Sequence, residues 1–353
     1  MPQPSTNKKD AHPMQDRPTQ APGASSGIDR RAWLAGMLAA CAWGSISSGD
    51  EESGKKVDPK EDEESALKAV QAAAAEAGLS PFKISKSANY LVIGDASESF
   101  RAVTLRDCEG VAADYLDYYK AQGFDVHRPD RRLLVVTLAD DRSFIAFVFP
   151  NSKMTSNKPG PAPPIHGLYN RENNRLIIYD HRALGPQFGS RPAYQNIRTT
   201  AHEATHQLTF NTGLLERKGD IPLCIVEGLA MYSEVRRTTG RTIPGENNTL
   251  RLSDLASQQR LKIPWVPVAD LLTEDSHLRL PARESLLGYS EGWLLVDFLL
   301  KDETKLPAFR AYLAAIRKRK DPTFRLHDAA RHLGDLNVLN QELRAYAIRR
   351  LKI

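Results

Sequence analysis

The chain has 353 residues, 41% of them apolar and 26% charged, enough for one large domain or two modest ones with a real core and too apolar for a wholly disordered chain. Three cysteines exclude a disulfide scaffold, and the absence of any apolar run near the ~20 residues a spanning helix needs excludes a polytopic membrane protein. The 48 Lys and Arg against 43 Asp and Glu leave +5, a weak excess that no nucleic-acid-binding signature accompanies, so no nucleic acid is expected as a partner.

Residues 1–43 read as a leader. The first 29 are rich in Pro, Ser, Gln and Lys and seed no core. Arg30 and Arg31 then precede a run of small and apolar residues from Ala32 to Trp43, the layout of a secretory signal. Asp29 to Leu34 resembles a twin-arginine export signal, and Leu38-Ala39-Ala40-Cys41 resembles a lipobox, which implies a lipid on Cys41 as the one membrane contact. Ala40-Cys41-Ala42 also offers a small-x-small site for ordinary signal peptidase, and a short amphipathic segment on a cytosolic protein is the bland alternative. The expectation is export to the cell envelope, periplasm or extracellular face.

Residues 44–80 are expected to be a flexible charged tether followed by a short Ala-rich helix over 64–78, with the folded domain spanning 81–353. Within 81–190, Tyr90 to Ile93 and Leu133 to Leu138 read as strands and 98–121 as a helix. Asp140 is placed to cap a short helix, and residues 150–165, with five prolines, read as a surface loop. Gly167 to Tyr169 and Leu176 to Asp180 form a hairpin around Asn170-Arg171-Glu172-Asn173-Asn174. From 191 onward the chain reads almost entirely as helix, so the expected class is α+β, a mixed strand and helix part with a small sheet followed by a mainly helical part.

Residues 202–206, His-Glu-Ala-Thr-His, carry the H-E-x-x-H pattern. Tyr194, Ile197, Ala201, Ala204 and Leu208 recur at helical spacing as one buried stripe, with Pro192 suited to the start of the helix and Gly213 to its end. His202 and His206 then lie one turn apart, roughly 6 Å along the axis, and can aim two imidazoles at one ion while Glu203 reaches a water beside it. Two surface histidines on an ordinary helix are the bland alternative. A catalytic zinc site takes three protein ligands, so a third donor is needed. Glu227, in the apolar run Leu223 to Tyr232, supplies it: a carboxylate on an apolar helical face is costly unless a cation or a salt bridge satisfies it.

The run His202 to Leu208, followed by Glu227 to Glu234, resembles the gluzincin metallopeptidases, the thermolysin-like and aminopeptidase-like clan, and within it a bacterial branch of unknown function whose members often carry export signals. The resemblance covers about residues 90–320, with its specific motifs at 198–236; Ile225 stands where that branch tends to have Trp. It implies a zincin-like fold with a zinc cleft between the sheet-bearing and helical parts, and one Zn2+ per chain held by His202, His206 and Glu227. Glu203 would be the base that draws the proton from water and hands it to the leaving amine. Tyr289, in Tyr289-Ser290-Glu291-Gly292-Trp293, matches a Tyr that stabilises the oxyanion in related gluzincins, although Tyr289 and Trp293 at i and i+4 are equally readable as core packing. The strand at 176–180 is placed like the clan's edge strand, which would grip a protein or peptide substrate in extended form.

The expected activity is that of an exported zinc metallopeptidase, an endopeptidase. The alternatives are a non-catalytic envelope module that binds proteins or peptides, and an aminopeptidase, for which the acidic G-x-M-E-N-like run is missing. Glu234, two turns after Glu227, is a candidate partner for a ligand histidine, with Asn211 and Asp220 as weaker ones. His166 and His181 flank the hairpin, either lining the cleft or serving as structural residues. Arg317 to Lys320 reads as a solvated helix end or a contact for anionic lipid, and Cys108 and Cys224 either pair or remain separate buried thiols.

Overall fold

A computed structural model describes residues 59–79, 81–150, 165–185, 191–235, 243–279 and 282–352. The leader, Arg30, Arg31 and Cys41 lie outside the described residues, as does most of the proline-rich stretch. The fold is α+β, with strands in the first half and helices after residue 190.

Five strands form one sheet: β1 (Lys83–Lys86), β2 (Tyr90–Gly94), β3 (Leu133–Leu138), β4 (Gly167–Asn170) and β5 (Arg175–Tyr179), in the order β1-β2-β3-β5-β4. β2, β3 and β5 run parallel, and an antiparallel strand closes each edge. The central strands are apolar at nearly every position because both faces are covered. Tyr90, Val92, Leu133, Val135, Leu176 and Ile178 join the larger core, whereas Leu91, Ile93, Leu134, Val136 and Ile177 alternate into a smaller one behind the sheet.

The local signals place several elements as expected. Helix α2 (Glu98–Ala121) starts where Ser97 Oγ accepts the Phe100 amide at 3.2 Å, and α3 (Asp141–Val148) starts where Asp140 Oδ1 accepts the Ser143 amide at 2.8 Å. In the β4–β5 turn, Asn170 Oδ1 accepts the amides of Glu172 and Asn173.

Three expectations change. The strand near 176–180 is not an edge: β5 lies between β3 and β4, and β4 is the edge. The burial patterns give the reason, since Leu176 to Tyr179 are buried without a break while β4 alternates, as an edge strand with one covered face does. The Ala-rich helix is longer than 64–78 and is packed on the domain: α1 (Pro59–Glu76) buries Val70 and Ala74, one turn apart, in the core behind the sheet. Glu63 pairs with Lys86 and Arg132, and Asp62 with Arg131, so the folded body begins before residue 81. The stripe on the H-E-x-x-H helix, α4 (Arg191–Thr209), is buried only in its second half: Ala201, Ala204 and Leu208 are at 0%, but Tyr194 is 51% exposed and Ile197 36%. The helix runs past the core at its N-terminal end.

The helical part continues with α5 (Leu223–Ser233), α6 (Thr249–Arg260), α7 (Val268–Thr273), α8 (Ala282–Lys301), α9 (Leu306–Ile316), α10 (Arg325–Leu333) and α11 (Leu336–Leu351). Every residue of α5 is buried, so it is a central helix rather than an amphipathic one. It meets α8 so closely at Gly228 that a Cβ there would stand 2.5 Å from Val296 Cγ2 and 2.7 Å from the Gly292 carbonyl oxygen. Cys108 and Cys224 are separate buried thiols. The basic run divides: Arg319 turns inward onto Asp220 and Asp328, while Lys318 stays exposed. Among the described residues no helix is long and apolar enough to cross a membrane.

Candidate metal centre

Helix α4 is fixed over the sheet by Gln207, whose Nε2 donates to the carbonyl oxygens of Leu134 and Asn174, each at 3.0 Å. That rotation turns His202 and His206 toward α5, where Glu227 projects. The start of α5 is set by Pro222 and by Asp275 Oδ1, which accepts the Leu223 amide at 2.9 Å.

His202 Nε2 lies 3.2 Å from His206 Nε2 and 3.4 Å from Glu227 Oε2, and His206 Nε2 lies 3.5 Å from Glu227 Oε1. The three residues are 3%, 1% and 1% exposed, and among the described residues they form the one cluster of three or more His, Cys, Asp or Glu whose ligand atoms converge within 4.8 Å. Ligand atoms about 2.0–2.1 Å from a tetrahedral ion stand roughly 3.3 Å from each other, so the triangle fits one cation.

Glu234 sits behind this triangle. Its Oε2 lies 3.0 Å from His202 Nδ1, and its Oε1 accepts from Arg198 Nη2 and Asn248 Nδ2, both at 2.6 Å, with Arg251 Nε at 3.8 Å. Burial alone would raise the Glu234 carboxyl, but Arg198, Arg251 and His202 outweigh it and hold the pKa far below the usual carboxylate range. An ionised carboxylate only accepts, so His202 carries its hydrogen on Nδ1 and turns Nε2 toward the cluster, the orientation a metal ligand needs.

With only the protein's own groups contributing, burial opposes charge on His202, yet hydrogen bonds to Glu227 and Glu234 raise its pKa to about 10. Burial lowers His206 to about 4, and the charge on His202 lowers it further against the opposing Glu227 carboxylate. Burial raises Glu203 to about 7, and the Glu227 and Glu234 charges add to this against the His202 charge and the Tyr169 amide. That amide donates to Glu203 Oε2 at 2.8 Å, which fixes the carboxylate beside the two histidines.

Tyr289 is buried in the core in the third turn of α8. Asn211 is taken up by Asn174 and by the Gln207 carbonyl, and Asp220 by Arg319 and Arg325, so neither supports the triangle. His166 and His181 are buried against each other, with ring nitrogens 3.1 Å apart. Sequence reasoning missed the residues that hold Glu234. Arg198, one turn before His202 on the same helix, was findable from spacing; Asn248 and Arg251, from the start of α6, carry no local signal.

A family described as "Protein of unknown function (DUF1570)" matches residues 196–322, which takes in most of α4 and all of α5 and α8 but not the sheet. No curated protein matches the chain. The family's description attaches no activity to it, and the chemistry rests on the geometry of the His202, His206 and Glu227 triangle.

Proposed function

We propose that the chain is a zinc-dependent metallopeptidase of the gluzincin type, with a zincin-like fold and one Zn2+ held by His202, His206 and Glu227. The observation that carries the reading is the buried triangle of two imidazole nitrogens and a carboxylate oxygen, with a second buried carboxylate, Glu203, adjoining it. Two His and one carboxylate are a donor set that catalytic zinc takes, with a position left for water or substrate. When bound, the ion supplies a Lewis acid for the scissile carbonyl and makes water a nucleophile near neutral pH.

The chain's own residues do the rest. Glu234 fixes the ring of His202, and Arg198 and Asn248 fix Glu234. Glu203, held by the Tyr169 amide, takes the proton of the attacking water and passes it to the leaving amine. Tyr289 is the proposed donor to the developing oxyanion. The edge strand β4, which lies along α4, offers its main chain to a substrate bound in extended form. Export, by the signal at Arg30 and Arg31 and with a lipid on Cys41, completes the proposal.

The test is cleavage of an unfolded protein, scored by new N-termini, with zinc-loaded wild type beside Glu203→Gln. The substitution is expected to lower turnover by about 10²–10⁴-fold, the contribution of a positioned general base, with bound zinc unchanged. Stoichiometric zinc without turnover across many substrates would replace the peptidase reading with that of a binding module. Protein that binds no zinc would remove both.

A further inference from the structure

At the N-terminal end of α4, four side chains form a chain of hydrogen bonds whose directions follow from the groups themselves. Asp180 is ionised, its pKa held down against burial by Arg182 and Asn196, and can only accept. Asn196 Nδ2 is therefore its donor, at 2.8 Å, and Asn196 Oδ1 turns to His181, meeting the main-chain N–H at 2.9 Å and ring Nδ1 at 2.7 Å. An amide oxygen also only accepts, so His181 Nδ1 carries a hydrogen. His181 is 0% exposed, and burial together with the neighbouring His166 lowers its pKa to about 3. Its Nε2 is then bare, and His166 Nδ1, 3.1 Å away, is the donor. The two ring nitrogens stand at hydrogen-bond distance, and among the described residues no third His, Cys, Asp or Glu converges with them.

What this chain holds in place is the start of β4. His166 directly precedes Gly167, where a Cβ would stand 2.5 Å from Thr199 Cγ2 and 3.1 Å from Glu203 Cγ. The missing side chain lets the strand lie against the base. Two residues on, the Tyr169 amide reaches Glu203. On α4, Asn196 and Glu203 are seven residues apart and so share a face. β4 is hydrogen-bonded to the sheet on one side only, through β5.

We infer that the His166–His181 pair is a positioning device for Glu203: it ties the start of β4 to Asn196 on α4 and sets where the Tyr169 amide meets the Glu203 carboxylate. Its catalytic consequence rests on the hydrolytic reading; its structural consequence does not. The sequence signature is a His-Gly-x-Tyr strand start at 166–169 paired with His181 and Asn196.

The experiment is residue-resolved amide hydrogen exchange on the full chain. His166→Leu removes the donor. His166→Asn keeps one, because the Asn amide nitrogen stands near the place of ring Nδ1. Asn196→Ala breaks the chain from the helix side, and decides the matter if His166→Leu fails to fold. Exchange at Tyr169 is expected to rise roughly tenfold in His166→Leu and Asn196→Ala, the effect of one lost buried hydrogen bond, and to stay near wild type in His166→Asn. Amides of β2 and β3 are expected not to change. Unchanged exchange at Tyr169 in His166→Leu, an equal rise in His166→Asn, or a rise shared by β2 and β3 would overturn the inference. So would a ring ¹⁵N spectrum with the His181 hydrogen on Nε2. In zinc-loaded protein that cleaves, kcat is expected to fall in His166→Leu with KM unchanged and to return in His166→Asn. Wild type that cleaves nothing would remove the hydrolytic reading and leave the exchange result to stand or fall alone.

Discussion

His202 and His206 are recognisable because a helix puts residues four apart on one side, and Glu227 because a carboxylate inside an apolar run requires a partner. The same reasoning reaches Glu234, two turns further on, which does hold His202. It does not reach Asn248 and Arg251, since nothing in the sequence around either says that α6 folds back onto Glu234. Nor does it reach the Tyr169 amide, because a main-chain donor leaves no mark in a sequence. The structure assigns Glu234 the task of aiming His202, so Glu234→Gln, which keeps the size but loses the charge, is expected to weaken zinc binding about 10–100-fold. Competition with a chelator of known affinity measures it. An unchanged affinity would mean that His202 is oriented by other contacts.

Among the elements, those with strong local signals fall where the sequence puts them: α2 and α3 at their caps, β3 from its unbroken apolar run, the β4–β5 hairpin from its Asn-rich turn. The failures are matters of neighbourhood. Whether β5 or β4 is the edge depends on pairing with β3, some 40 residues earlier in the chain, and the exposure of Tyr194 and Ile197 depends on where the core ends rather than on the helix that carries them. Contacts between distant elements also produce an effect of pH. Glu291 on α8 accepts from Gln258 of α6 at 2.6 Å and from the Val266 amide at 3.0 Å, yet burial raises its pKa from 4.5 to about 7, with Arg344 of α11 only partly opposing. Between those two values the folded chain keeps a proton that the unfolded chain has released, so this group's contribution to stability is present below about pH 4.5 and is lost as the pH rises through about 7. Glu291→Gln stays neutral and is expected to gain stability relative to wild type on going from pH 5 to pH 8, read from urea midpoints. The same offset at both pH values would show that Glu291 is ionised in the folded protein throughout.

For the molecule as a whole, the α+β division was legible because strand signals stop near residue 180 and helical periodicity takes over. The sheet order was not, because it depends on which strands meet across long connections. The folded body begins before residue 81, although an Ala-rich helix that follows a charged stretch reads as lying outside the domain until Val70 and Ala74 are seen against the sheet. In the assembled structure the sheet orients α4, α8 holds α5, and the two inner helices bring three ligand atoms to one point. Zinc per chain, measured by elemental analysis on wild type and on Glu227→Gln after dialysis against trace zinc, tests this convergence most directly. The expected result is one zinc per chain in wild type, lost in Glu227→Gln and retained in Glu203→Gln. Wild type without zinc, or zinc that persists when Glu227 is replaced, would contradict it.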